Sequence, residues 1–579
     1  MKNLSDWNEI WVIDFEYQSV DGEWPVPHCM VGREIFSQRL IRLDADALHV
    51  SNAPPFSTGP AVLVVGYYLP AEFSCFLQLG WAQPVQCLDL CTEYKWLRSG
   101  IRDNKRRSLV GALTHFGLID QIPAEKDEWR QLAIRGGPYS QDEMNGLMDY
   151  CQQDVDATAT LLRAMSPHID RPRALLRGQY SWAIAALERR GIPMDMEILH
   201  ELRNRWDDIK AQLIKSVDPS SLVYVDGVFG RERWSNLLAH YNLPWPRDPT
   251  TSRLKLDDDT FRQQSKAYPA VVAPFHELRA TLSRLKLNKL AVGSDGRNRT
   301  MLSPFGSATG RNQPSNSKFI FGPSTWIRGL IKPPEGRAIA YIDWSQQEQG
   351  IAASLSGDTN MMDAYVSGDP YLTFAKMAGA VPDNATRQNH PGERAAYKVC
   401  MLAVQYGMQA KALAELLADI PLKAKHLLQA HRDTFRQYWQ WSDRIQDTGF
   451  GTGILQTRFG WQRNVIATDS PASVRNFPVQ GNGADMLRLA LMKLEMDGIH
   501  VIAHIHDAVL IEAEAHDIHA AVATTQEAMR WASEQILPGF PLQSDVKIVT
   551  WPNRYMDEER GTNFWNLVMT LIGKPTYTH

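Results

Sequence analysis

Two short apolar strands that each run into an aspartate constrain this chain more than any other feature. Ile339-Ala-Tyr-Ile342 delivers Asp343 to a strand end, and Val501-Ile-Ala-His-Ile505 runs through His506-Asp507 into another apolar stretch, Ala508-Val-Leu-Ile511. The tight turn makes the last two runs a hairpin, and Asp343 can meet its tip only if all three strands share a sheet. The intervening chain reads as helix, with periodic segments at 345–356, 391–405, 409–418, 423–447 and 482–496. At 579 residues the chain is too long for one core, and it reads as a multidomain α/β protein.

A lone aspartate at a strand end is usually a cap or a turn residue. The segment between the strands changes that reading. Arg394, Lys398, Leu402 and Tyr406 are spaced by four and follow one drifting helical face, with Gly407 next. A cationic turn, an apolar step and an aromatic ring suit a triphosphate whose base stacks alongside. Arg394 can clamp phosphate oxygens with its planar fork, and Lys398 can protonate departing pyrophosphate. Carboxylates at Asp343 and Asp507 can share two Mg2+ ions about 4 Å apart, with Mn2+ a possible substitute.

The first 170 residues carry their own acids. Asp14 and Glu16 share one face of a strand begun by Trp11-Val-Ile, because side chains alternate. A second strand, Ala61–Val65, precedes Glu72, and helices are expected at 90–98, 107–116 and 141–165. The last of these places Tyr150 and Asp154 on one face. Pro167-His-Ile-Asp-Arg-Pro172 reads as a boundary. Helices follow at 174–190, 195–215, 231–240 and 271–290. The stretch from Arg279 to Arg299, with Arg284, Lys286, Lys289 and Arg297, is basic in a chain whose net charge is −4, and reads as a phosphate-tracking surface. The final Lys574–His579 reads as frayed.

Taken in order, these motifs resemble family A DNA polymerases, the bacterial DNA polymerase I and bacteriophage replicative group. The matching residues are Asp343-x-Ser345-Gln346-x-Glu348, Arg394-x3-Lys398-x7-Tyr406-Gly407 and His506-Asp507, supported by Thr309-Gly310-Arg311, Thr457–Gln462 and Asn476-x3-Gln480. The resemblance runs from residue 1 to about 560. It implies a right-hand arrangement of palm, fingers and thumb that adds nucleotides to a primer. Asp343, Asp507 and the Trp344 carbonyl would hold the metals, while Arg394, Lys398, Leu402, Tyr406, Glu348 and Gln346 would meet the dNTP. Glu348 would exclude a 2′-hydroxyl by occupying its space and by leaving a buried carboxylate poorly paired, and Tyr406 would lie near the templating base. Arg311, Asn476, Gln480, Thr309, Arg328 and His506 would contact DNA, along with Arg284, Lys286 and Lys289.

The N-terminal set resembles the proofreading 3′-5′ exonuclease of the same polymerases, an RNase H-like domain of the DEDD class. There Asp14, Glu16, Glu72 and Asp154 would be metal ligands and Tyr150 would orient the attacking water. Glu72 stands where the family usually has Asp. Spacing argues for Glu72 over Asp89 in that role. Leu402 replaces an aromatic residue, and Ala508 replaces the Glu that often follows His-Asp. The implied domains are 1–170 exonuclease, 171–300 start of palm and thumb, 301–358 palm, 359–465 fingers, and 466–579 palm with the C-terminal tail. No space for a 5′-nuclease precedes Asp14, which resembles the phage or mobile-element branch.

The expected partners are primer-template DNA and dNTPs, with accessory replication proteins possible, for a monomer. A single-subunit RNA polymerase, a nuclease on an inert scaffold and a structural nucleic-acid-binding protein stay open as alternatives. The six cysteines are scattered and read as reduced thiols. The chain also lacks a secretory signal and an apolar run long enough to span a bilayer, so a cytoplasmic, membrane-free protein is expected.

Overall fold

The computed structural model describes residues 4–577, apart from residue 5, 103–106, 122–125, 249–250, 285–286, 323 and 418–419. The N-terminal sheet has five strands: β1 (Glu9–Gln18), β2 (Val26–Glu34), β3 (Leu40–Asp44), β4 (Val62–Gly66) and β5 (Gln86–Asp89), in the order β3-β2-β1-β4-β5. β1, β2 and β3 pair antiparallel, whereas β4 and β5 run parallel to β1. All five β4 residues are buried, as expected of a parallel strand covered on both faces. Helix α1 (Leu69–Leu79) begins with Pro70 in its first turn and stops at Gly80, whose φ of 72° suits a left-handed cap. Helix α2 (Gln141–Met165) opens with a capping box from Ser140 and Glu143.

Helix α3 (Arg171–Arg190) joins the two halves of the molecule. Its Trp182 and Ala185 pack into the core beneath the first sheet, with Phe73 and Phe76 of α1. Tyr180, Ala183, Ile184 and Leu187 pack instead into the largest core, with Leu487 and Leu491. The Pro167–Pro172 segment is a short turn that runs into this helix, with Pro172 in its first turn. Arg177 of this helix forms a buried pair with Glu93, both bonds 2.7 Å long.

The second sheet contains β6 (Arg337–Trp344), β7 (Val501–Ile505), β8 (Ala508–Glu514) and β9 (Ser544–Thr550), all antiparallel, in the order β7-β8-β6-β9. Ala338, Ala340 and Ile342 of β6 face the main core, while Ile339 enters a separate core built on the helices of residues 196–284 and on Trp565. Asp343 shares the Ile339 face by alternation. The excursion between β6 and β7 includes α4 (Pro391–Gln405) and α5 (Pro471–Met496).

Several expected elements differ in extent. The helix expected over 195–215 is interrupted at Arg205, and that over 423–447 at Phe435, whose fully buried ring leaves the helical path at φ −114°, ψ 60°. The expected 482–496 helix begins earlier, at Pro471, and tolerates Pro478 within it. The chain end does not fray through Tyr577: its N–H donates to Asn566 Oδ1 at 2.7 Å, and Asn566 Nδ2 donates back to its carbonyl at 3.0 Å. All six cysteines are buried and free. Among the described residues no helix is long and apolar enough to cross a membrane.

Candidate active site

Strand pairing assembles the first group of acids. Opposite Asp343 on one side lies Ala508 of β8, the residue after Asp507, and on the other side lies Asp545 of β9. The hairpin tip is sharp because His506 adopts φ 56°, a left-handed conformation uncommon for a residue with a side chain. The sequence pattern does not flag Asp545; it accepts from Ser345 Oγ at 2.7 Å. The Trp344 indole is buried in the main core, and Gln346 turns the chain into the next helix at φ 51°.

The carboxyls here repel one another. Burial lifts Asp343 to about 6, from an ordinary value of 3.8, and Asp507 and Asp545 add to the rise. Burial also raises Asp507, against the pull of His506 and Arg311. An acid raised in the fold ionises more readily in the unfolded chain. The metal-free protein is therefore expected to lose stability as pH rises from about 4 through 6. Asp343→Asn should flatten that slope in thermal unfolding with a chelator present, and an unchanged slope would contradict it.

Glu348, in the helix after Asp343, accepts from Arg311 Nη2 at 2.9 Å and from Tyr406 Oη at 3.2 Å. Both its oxygens are therefore bonded in the absence of a nucleotide. Burial, followed by Glu348, raises the Tyr406 phenol. A cavity of about 660 Å³ opens here, lined by Thr309, Tyr406, Asn476 and Gln480. A second, of about 570 Å³, is lined by Arg311, His504 and His506. Thr309 Oγ1 lies 3.0 Å from Ser307 Oγ.

On α4, Arg394 Nε donates to Asp369 at 2.7 Å. Arg394 and Lys398 lie 5.6 and 5.7 Å from the centre of the Tyr371 ring. Asp369 and Tyr371 are further residues that the sequence pattern does not flag. Leu402 and Tyr406 follow on the same face, 43% and 55% exposed.

The basic stretch is not one surface. Arg279 sits between the Phe229 and Phe261 rings, 4.5 Å from each. Arg297 pairs with Glu512 and Arg299 with Asp295. Lys289 is exposed, while the Arg284 side chain and Lys286 lie outside the described residues. Arg328, placed on DNA by the resemblance, donates to Asp557 at 3.0 Å and packs on Phe321.

The second group of acids lies in the first sheet. Ligand atoms of Asp14, Glu16 and Asp154 all fall within 4.8 Å of one another. Glu72 is not part of that group. Beyond the β1–β4 pairing one edge of β1 is open, and Glu72 uses its longer reach to accept from Phe15 N–H there at 2.9 Å. It is buried, and burial followed by Asp14 and Glu16 raises its carboxyl well above the ordinary value. Tyr150 lies beside Asp154 on α2, and burial followed by that carboxylate raises its phenol. Asp89 is spent as a cap, accepting from Tyr68, Cys91, Thr92 and Ser181.

Comparison with known proteins identifies the family. The family model described as DNA polymerase family A matches residues 237–551. DNA polymerase I of Aquifex aeolicus is 25% identical over 430 residues, which is 71% of this chain and 72% of that protein. The thermostable DNA polymerase I of Thermus caldophilus is 30% identical over 272 residues, 44% of this chain but only 32% of that protein. A solved structure, the POL domain of Pol1 from M. smegmatis in complex with DNA primer-template and dNTP, aligns with a TM-score of 0.72. It is 18% identical, and the alignment covers 93% of this chain and 95% of that one, a likeness of fold. The chain belongs to DNA polymerase family A, the DNA polymerase I-like template-directed DNA polymerases.

Proposed function

We propose that the second sheet carries the site at which dNMP units are added to a primer 3′-hydroxyl, and that the first sheet carries a 3′-5′ proofreading exonuclease. The observation that carries the first reading is the double bonding of Glu348. It fastens Arg311 and the end of α4 to the sheet that presents Asp343 and Asp507.

Close, raised carboxyls suit divalent cations, which relieve the repulsion between them. Mg2+ held by Asp343 and Asp507 would stabilise charge on the attacking and leaving oxygens. Arg394 holds the triphosphate, and Lys398 neutralises it and gives a proton to the departing pyrophosphate. Glu348, fixed by both partners, stands where a ribose hydroxyl would enter and offers it no uncommitted oxygen. Asn476, Gln480 and Arg311 meet the minor-groove edge at the primer end, where correct pairs present similar acceptors. Glu348→Ala is expected to weaken discrimination against rNTPs by about a hundredfold. Single-nucleotide incorporation of rNTP and dNTP measures it, and unchanged discrimination would contradict the gate.

The exonuclease reading is supported by the three-acid group, by Tyr150 beside Asp154 and by a sheet of three antiparallel and two parallel strands. These features fit an RNase H-like domain over residues 1–170. Tyr150, kept protonated, can donate to and orient an attacking water. Glu72 acts on the backbone of β1 in this arrangement, and so positions Asp14 and Glu16. Residues 171–358 and 466–579 then form palm and thumb, and 359–465 the fingers. Extension from a primer with a mismatched 3′ end, with and without Mg2+, tests both halves. Trimming before extension supports the pair, whereas metal-independent activity would sink it.

A further inference from the structure

Arg394 does not meet Asp369 alone. Arg387, in the loop between the helix Pro370–Met377 and α4, donates its Nε to the same oxygen, Asp369 Oδ2, at 2.7 Å. Its Nη2 also donates to the Gly368 carbonyl at 3.2 Å. Asp369 is itself fixed, since it caps the helix Pro370–Met377 by accepting from Leu372 N–H at 3.3 Å. Two guanidiniums are therefore drawn onto one carboxylate oxygen, with Lys398 and Arg394 both over the Tyr371 ring.

Three cations against one carboxylate leave two positive charges uncompensated within the cluster. The nearby Glu393 lies 3.6 Å from His390 instead. Like charges held this close repel unless an anion joins them. Arg387 keeps 57% of its side chain exposed, so it remains open to one. The order along the chain gives direction: Tyr406 and Leu402 suit base and sugar, Lys398 and Arg394 the phosphates, and Arg387 lies beyond Arg394 at the start of the helix.

We infer that Arg387 is a third cationic ligand of the polyphosphate, set beside Arg394 by Asp369, and that it binds the terminal phosphates of an incoming dNTP and the same phosphates of pyrophosphate. This rests on the reading of α4 as the triphosphate-binding helix. A planar fork anchored through Nε can still offer a terminal amino group to a phosphate oxygen.

The test measures steady-state KM for dNTP in single-nucleotide extension and KM for pyrophosphate in the reverse reaction. Arg387→Ala is expected to raise both by about tenfold, the loss of one charge-assisted hydrogen bond. The fall in kcat at saturating dNTP should be smaller, and Arg387→Lys should recover part of each affinity. A purely structural role would instead lower the unfolding temperature without this paired shift. Arg394→Ala serves as the reference. If it raises both constants and Arg387→Ala raises neither, the inference fails while the α4 reading stands. If neither variant moves them, the α4 reading itself fails. Should Arg387→Ala not fold, Arg387→Lys alone decides, by a paired rise in both constants or its absence.

Discussion

Asp507→Ala is expected to slow primer extension by about a thousandfold or more, because several kcal/mol of charge stabilisation at the reacting phosphate are lost. Stability should not suffer. Burial and the neighbouring Glu348 raise the Asp507 carboxyl, so its ionised form opposes folding near neutral pH. The variant should unfold at the same temperature as the parent or slightly higher, and should still bind primer-template. Single-turnover extension and thermal unfolding on one preparation check both statements. Extension within about tenfold of the parent would remove Asp507 from the mechanism.

The second large effect belongs to the other sheet. Asp14→Ala with Glu16→Ala removes two of the three acids whose ligand atoms lie within 4.8 Å of one another. Degradation of a mismatched 3′ end is expected to fall by about a hundredfold or more, while extension of a matched primer stays near the parent rate. Glu72→Gln should behave more mildly, because Glu72 bonds Phe15 N–H and is not one of those three acids. Persistent trimming by the double variant would overturn the exonuclease reading. A Glu72→Gln enzyme as defective as the double variant would show instead that Glu72 leaves Phe15 and joins the acids.

Local chemistry was legible before any fold was known. Apolar runs ending in Asp343 and Asp507 identified their strands, and the four-residue spacing of Arg394 through Tyr406 located α4 with its bounds. What stayed hidden was set by neighbours distant in the chain. Asp545 lies opposite Asp343 only because β9 pairs with β6, and most of its strand lacks buried residues that would mark it. Asp369 and Arg387 acquire meaning only from the oxygen they share with Arg394. In the basic stretch three of the charges have partners that the sequence does not reveal: Arg279 is taken by two rings, Arg297 by Glu512 and Arg299 by Asp295. The length of a side chain also mattered. One extra methylene lets Glu72 reach the open edge of β1, and no spacing rule foresees that.

Helix α3 touches α1, which carries Glu72, and also β7, which leads to Asp507. The two proposed sites thus hang from a single rod. On the proposed reading of both sites, a strand passing between them would do the travelling itself, by melting its last base pairs away from the template. The exchange should accordingly quicken at A·T-rich ends and slow at G·C-rich ones, making the stability of the duplex tip the clock that chooses between building and erasing.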